Sequence, residues 1–123
     1  MQKSVLIRTL REQLGREATV EFAYLFGSRA TETDHADSDA DIALFLKEDR
    51  PEEVLRLIAV LSKVSGLEAD VTVLNRTRNL FLLDTVFRDG IVVKDSPERE
   101  AFELAKEHEI LDYKAFRRMM DAA

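Results

Sequence analysis

A chain of 123 residues, 46% of them hydrophobic, has the size and apolar content of one domain that builds its core without staples. Cysteine is missing, which excludes disulfides and thiolate metal sites, and a net charge of −6 with scattered acids argues against broad binding to a nucleic-acid backbone. No stretch approaches the roughly 20 apolar residues that a bilayer span needs, and the start Met1-Gln2-Lys3-Ser4 is not an apolar leader, so the expectation is a soluble cytoplasmic protein with no membrane contact.

Leu6, Ile7, Leu10 and Leu14 at helical spacing predict a first helix over residues 3–14, with Gly15 as its stop. Residues 20–26 are short, aromatic and partly β-branched, which predicts a buried strand. Residues 29–38 read as a helical turn after Ser28 and then a loop, and residues 40–46 as a second strand. Asp49 and Pro51 open a helix with Val54, Leu57, Ile58, Leu61 and Val64 on one face, and Gly66 closes it. Asp70–Leu74 is a third strand, residues 75–79 a polar break, 80–88 a short helix and 91–93 a fourth strand. Ser96-Pro97 is an N-cap with proline at the first helical position. The last helix, about 97–120, carries Ala101, Leu104, Ala105, His108, Leu111, Ala115 and Met119 as its core stripe. Its other apolar residues, Phe102, Ile110, Tyr113, Phe116 and Met120, leave a surface for a partner. No repeat or linker interrupts residues 1–123, so the expected fold is a single small α/β (α+β) domain, a mixed sheet flanked by helices.

Two carboxylates at the head of an apolar strand carry the chemistry. Side chains alternate along a strand, so Asp39 and Asp41 point the same way with Cα atoms roughly 6.5 Å apart. Like charges in a half-buried site repel, and each loses hydration; a divalent cation offsets both effects. Oxygen-only ligands favour Mg²⁺ or Mn²⁺ over zinc. Asp70 heads the third strand and reaches the same cluster if the second and third strands are neighbours, and three such carboxylates suit two ions about 3.5–4 Å apart. Gly27 permits a tight turn with close backbone approach, and Ser28 at a helix N-terminus presents N–H groups and a hydroxyl to an anion, with Arg29 as a further donor. The combination predicts a metal-bound nucleoside triphosphate. Arg29 reads equally as a surface ion-pair residue.

Gly27-Ser28, ten residues, then Asp39-x-Asp41 and a later strand-borne Asp70 resemble the nucleotidyltransferase signature of the DNA polymerase β superfamily. The flanking Tyr24-Leu25-Phe26 and Ser38-Asp39 resemble its minimal nucleotidyltransferase branch, over about residues 20–95. The resemblance implies the polymerase β-like fold and ATP as substrate. It implies triphosphate contacts at Gly27 and Ser28, and metal ligands at Asp39, Asp41 and Asp70, with Asp70 also helping to deprotonate the acceptor. The same resemblance implies a HEPN-domain ribonuclease toxin as partner, adenylylated on tyrosine by this chain as its antitoxin. One departure stands out: members often continue Gly-Ser-Arg-Ala-Arg-Gly, whereas Arg29-Ala30-Thr31-Glu32-Thr33 lacks the second basic residue and the glycine. Asp34, His35 and Asp37 read as loop residues near the site entrance. The alternatives are an antitoxin that acts by binding alone, and a small-molecule nucleotidyltransferase of the aminoglycoside-modifying type.

Overall fold

The computed structural model describes residues 2–31 and 39–122. Among the described residues, five helices and four strands follow in the order α1 (Lys3–Gly15), β1 (Val20–Phe26), α2 (Ser28–Thr31), β2 (Ala40–Leu46), α3 (Pro51–Ser65), β3 (Ala69–Val73), a 3-10 turn at Leu74–Arg76, α4 (Leu80–Asp89), β4 (Ile91–Lys94) and α5 (Pro97–Ala122). The strands form one mixed sheet in the order β3-β2-β1-β4. β1 runs antiparallel to both β2 and β4, and β2 parallel to β3.

The two-residue alternation of the central strands sorts the core by side-chain type. Ala23, Leu25, Ile42, Leu44 and Leu46 face one side, where Leu6, Leu10 and Leu14 of α1 and Leu57 and Leu61 of α3 cover them with aliphatic side chains. Phe22, Tyr24, Phe26, Ala43 and Phe45 face the other side and meet α4 and α5 through Leu83, Val86, Phe87, Phe102 and Ile110. This second layer is built from rings: Phe22 stacks on Phe45 at 4.9 Å, and Phe102 contacts Phe22, Phe45 and Phe87.

Local chemistry sets the ends of these elements. α3 begins with Pro51 at its first turn followed by Glu52 and Glu53, and ends at Gly66, whose φ of 70° suits only glycine without strain. Asn79 caps α4 by accepting a hydrogen bond from the Leu82 N–H. α1 takes Gly15 as its last helical residue and passes on through Arg16 in a right-handed conformation, so the glycine there is not a left-handed stop. β3 starts one residue earlier than the sequence suggests, because the Ala40 N–H bonds to the Glu68 carbonyl and draws Ala69 into the ladder, while Leu74 turns into the 3-10 segment. The Ser96 side chain does not cap α5: the Asp95 carboxylate accepts the Ser96 N–H, and the buried Ser96 hydroxyl makes no hydrogen bond among the described residues. At the far end of β2 the Asn75 side-chain amide both accepts from the Leu46 N–H and donates to its carbonyl, at 2.8 Å each, and so extends the sheet by one side-chain rung.

α5 differs from expectation in which face it buries. Phe102 packs into the aromatic layer, Ile110 is buried, and Tyr113 meets Phe81 edge-on. Leu104, Leu111 and Met119 are 62%, 64% and 65% exposed, and His108 is exposed as well. The reason is complementarity: β1 and β2 offer rings on this side, and a ring on the helix fills that layer better than the alanine-rich stripe does. Tyr24 does more than pack, since its hydroxyl donates to Glu103 at 2.5 Å and Arg99 holds Glu103 from the next turn. Among the described residues no helix is long and apolar enough to cross a membrane. The expected loop over 32–38, with Glu32, Asp34, His35, Asp37 and Ser38, lies outside the described residues.

Candidate active site

The functional residues converge where β1 ends and β2 begins. Antiparallel pairing sets Phe26 opposite Asp41, and parallel pairing sets Asp41 opposite Asp70. Three neighbouring strands therefore carry, on one line across the sheet, the last residue before Gly27 and two carboxylates. Strand alternation puts Asp41 with Ala43 and Phe45 on the aromatic side of the sheet, at the end where Phe26 finishes β1, and Asp39 lies one residue before β2.

Gly27 has φ 72°, the left-handed region, and its carbonyl accepts the Ala30 and Thr31 N–H groups that start α2. A Cβ built on Gly27 would stand 2.2 Å from Asp41 Oδ2. The backbone at this turn is thus in direct contact with the Asp41 carboxylate, and both the conformation and the space call for glycine. Ser28 is the first residue of α2 and half-buried, beside that contact. Arg29, the second residue of α2, is only 5% exposed.

Burial, above all, pushes the Asp41 carboxyl up to about 6; the charge of Asp70, a hydrogen bond shared with Asp70 and the charge of Asp39 add to it. The sequence reading places Asp39, Asp41 and Asp70 in one three-carboxylate cage. Among the described residues no group of three or more His, Cys, Asp or Glu side chains is arranged to hold a metal ion. The structure joins Asp41 and Asp70 as a pair, with Asp39 close enough to act on Asp41 through its charge. The donor set itself, carboxylate oxygens alone, fits a hard divalent ion. The close contact of Gly27 with Asp41 was not legible from spacing, although a glycine directly after a buried strand is the signal that points to it.

A four-stranded mixed sheet with helices on both faces, an Asp-bearing central strand and a Gly-Ser turn on its neighbour define a nucleotidyltransferase domain. The sequence profile of the family described as polymerase beta, nucleotidyltransferase, matches residues 8–99, about three quarters of the chain, and the chain belongs to that family. No curated protein matches it. Solved structures share the fold along nearly the whole length. A chain of a toxin–antitoxin complex with AMP-PNP superposes with TM-score 0.73 at 21% identity, covering 99% of this chain and 97% of that one. A MntA–HpeT toxin–antitoxin mutant with two aspartates changed to glutamate gives 0.73 at 19% identity, with 99% and 97% covered. A complex of tri-AMPylated Shewanella oneidensis HEPN toxin with MNT antitoxin gives 0.66 at 20% identity, again over 99% and 97%. Identities this low establish likeness of fold.

Proposed function

We propose that this chain is an antitoxin that transfers AMP from ATP to a hydroxyl, a tyrosine by family resemblance, on a partner HEPN ribonuclease toxin, in the cytoplasm and with no direct role for nucleic acid. The carrying observation is the pairing of Asp41 with Asp70 on adjacent strands, directly against the Gly27 turn. That solved toxin–antitoxin complexes of the same fold include one with AMP-PNP and one with an AMPylated toxin supports the reading.

Asp39, Asp41 and Asp70 would hold Mg²⁺, two ions by family resemblance, with Mn²⁺ as a substitute. When bound, the metal supplies charge stabilisation to the transferred phosphoryl group and its leaving oxygen. The rest falls to the chain. Gly27, Ser28 and Arg29 bind the triphosphate and fix the α-phosphorus in line with the acceptor oxygen. Asp70, the more exposed partner of the pair, takes up the acceptor proton. The new bond joins the acceptor oxygen to the α-phosphorus, the bond to pyrophosphate breaks, and positioning with charge stabilisation supplies most of the rate. Asp41, held in the central strand, keeps the pair in register and takes no part as a base.

The test is co-expression with the toxin and intact-mass measurement of the toxin after incubation with ATP and Mg²⁺. The expected result is an added mass of one or more AMP groups, lost in the Asp39→Asn, Asp41→Asn double variant. An unmodified toxin, together with full neutralisation by the double variant in cells, overturns the enzymatic reading.

A further inference from the structure

β3 brings a second polar side chain to the face that holds the carboxylate pair. Ala69, Val71 and Val73 turn to the aliphatic layer, so Asp70 and Thr72 share the opposite face with Ala43 and Leu74. Parallel pairing sets Thr72 opposite Ala43, the next same-face rung after Asp41 and Asp70. Ala43 is buried and ends in a methyl group, so the one polar group on that rung is the Thr72 hydroxyl. Thr72 is half-buried, and its hydroxyl has no hydrogen-bond partner among the described residues. The hydroxyls of Thr19, Thr77 and Thr85 are taken up by Glu53, the Val73 carbonyl and the Phe81 carbonyl. A valine would fill the Thr72 strand position equally well, which leaves the hydroxyl without a use in the fold.

The side of the site on which Thr72 stands decides what it meets. Across the sheet the order is the Gly27 turn after β1, Asp41 on β2 and Asp70 on β3. In-line displacement puts the attacking and leaving oxygens on opposite sides of the transferred phosphorus. With the triphosphate held at Gly27 and Ser28, pyrophosphate departs on the β1 side and the acceptor oxygen enters on the β3 side. Along a strand, Cα atoms two residues apart, as in Asp70 and Thr72, are separated by about 6.6 Å. Two hydrogen bonds of about 2.8 Å end to end nearly span that distance, so one oxygen can bond to both side chains.

On the transferase reading, we infer that Thr72 is an acceptor-binding residue, its hydroxyl donating a hydrogen bond to the oxygen whose proton Asp70 takes. The acceptor O–H bond breaks toward Asp70, the oxygen bonds to the α-phosphorus, and pyrophosphate leaves with the electron pair of the broken P–O bond. Thr72 keeps its own proton throughout and holds the charge that develops on the acceptor oxygen as Asp70 removes its proton.

The experiment measures AMP transfer to the toxin by the wild type and by two matched pairs, threonine against Thr72→Val and Thr72→Ser against Thr72→Ala, which differ within each pair by the hydroxyl. Thr72→Val should melt no earlier than the wild type, lose about 3- to 10-fold in kcat/KM for the toxin, the worth of one hydrogen bond between neutral groups, and keep the KM for ATP. Thr72→Ser should retain transfer and Thr72→Ala should fall with the valine variant. A valine variant within about twofold of the wild type overturns the inference. So does a loss confined to the KM for ATP, or a serine variant no better than alanine. If Thr72→Val melts early, the serine and alanine pair decides alone. A wild type that transfers nothing overturns the transferase reading and this role with it, whereas an active wild type matched by the valine variant overturns this role only.

Discussion

Gly27 and Gly66 together make a controlled experiment. Both lie in the left-handed region, with φ 72° and 70°. A Cβ on Gly66 meets nothing within 4 Å, whereas one on Gly27 meets Asp41 Oδ2 at 2.2 Å and Cγ at 3.0 Å. Alanine at either position therefore carries the same backbone strain, about 1–2 kcal/mol, seen as a loss of about 2–8 °C in thermal midpoint per kcal/mol for domains of this order of size. Only at Gly27 must a carboxylate also retreat, by about 1 Å or more to reach ordinary van der Waals contact. Misplacement on that scale costs about 100-fold in rate. Gly27→Ala should thus lose about two orders of magnitude in AMP transfer to the toxin while remaining folded, and Gly66→Ala should match the wild type in transfer while melting earlier. Transfer rates and melting curves of the two variants side by side decide the matter. Comparable activity in both, within a few-fold, would refute the claim that the Gly27 backbone sets the position of Asp41.

Asp41 gives a signed pH effect. A carboxyl whose folded-state pKa is raised to about 6 stabilises the fold while protonated, and that contribution fades as pH rises through about 6; the wild type should lose stability relative to Asp41→Asn over that window. Mn²⁺ should reverse the trend, raising the midpoint more at about pH 7 than at about pH 5, because protons compete for the same oxygens, and equal metal stabilisation at both values would count against these ligands. On the other face, Arg56 donates to both oxygens of Glu17, which is 7% exposed, and holds its carboxyl below the usual range. Arg56→Ala should cost about 1–3 kcal/mol at neutral pH by leaving a buried carboxylate without its cation. A lowered carboxyl pKa gives stability that is lost as pH falls, so the penalty should shrink in acid. Denaturant melts at neutral and acid pH check this, and a pH-independent penalty would refute it.

How much of this was legible beforehand depends on the range of the interaction. β1 and β2 have the bounds that composition suggests, because an apolar run stopped by Gly27 and another opened after Asp39 are local signals. Gly66 and Asn79 likewise act through their own backbone neighbours. Asp41 and Asp70 lie opposite each other, but that pairing depends on β3 adding parallel to β2, which no local pattern specifies. The orientation of α5 was misread for a related reason. Two sides of the helix are apolar, and the choice between them was made by Phe22 and Phe45, more than fifty residues earlier in the chain. Ser96 shows the limit of motif reading even at short range, since Asp95 reaches the backbone N–H first.

The sheet order has a dynamic consequence. Among the described residues β3 is an edge strand with β2 as its one strand neighbour, and it joins through a parallel ladder, the less stable kind per residue. Its amide hydrogens should therefore exchange through a local opening that leaves β1 and β2 closed. One of the two paired carboxylates rides on that strand. A cation shared by Asp41 and Asp70 would fasten β3 to β2 from the side-chain end, and at a hundredfold excess over its Kd would add about 2.7 kcal/mol to the opening. Exchange over Ala69–Val73 would then slow about 100-fold while the central strands barely change, and the ligand would act as a clasp on this edge of the sheet.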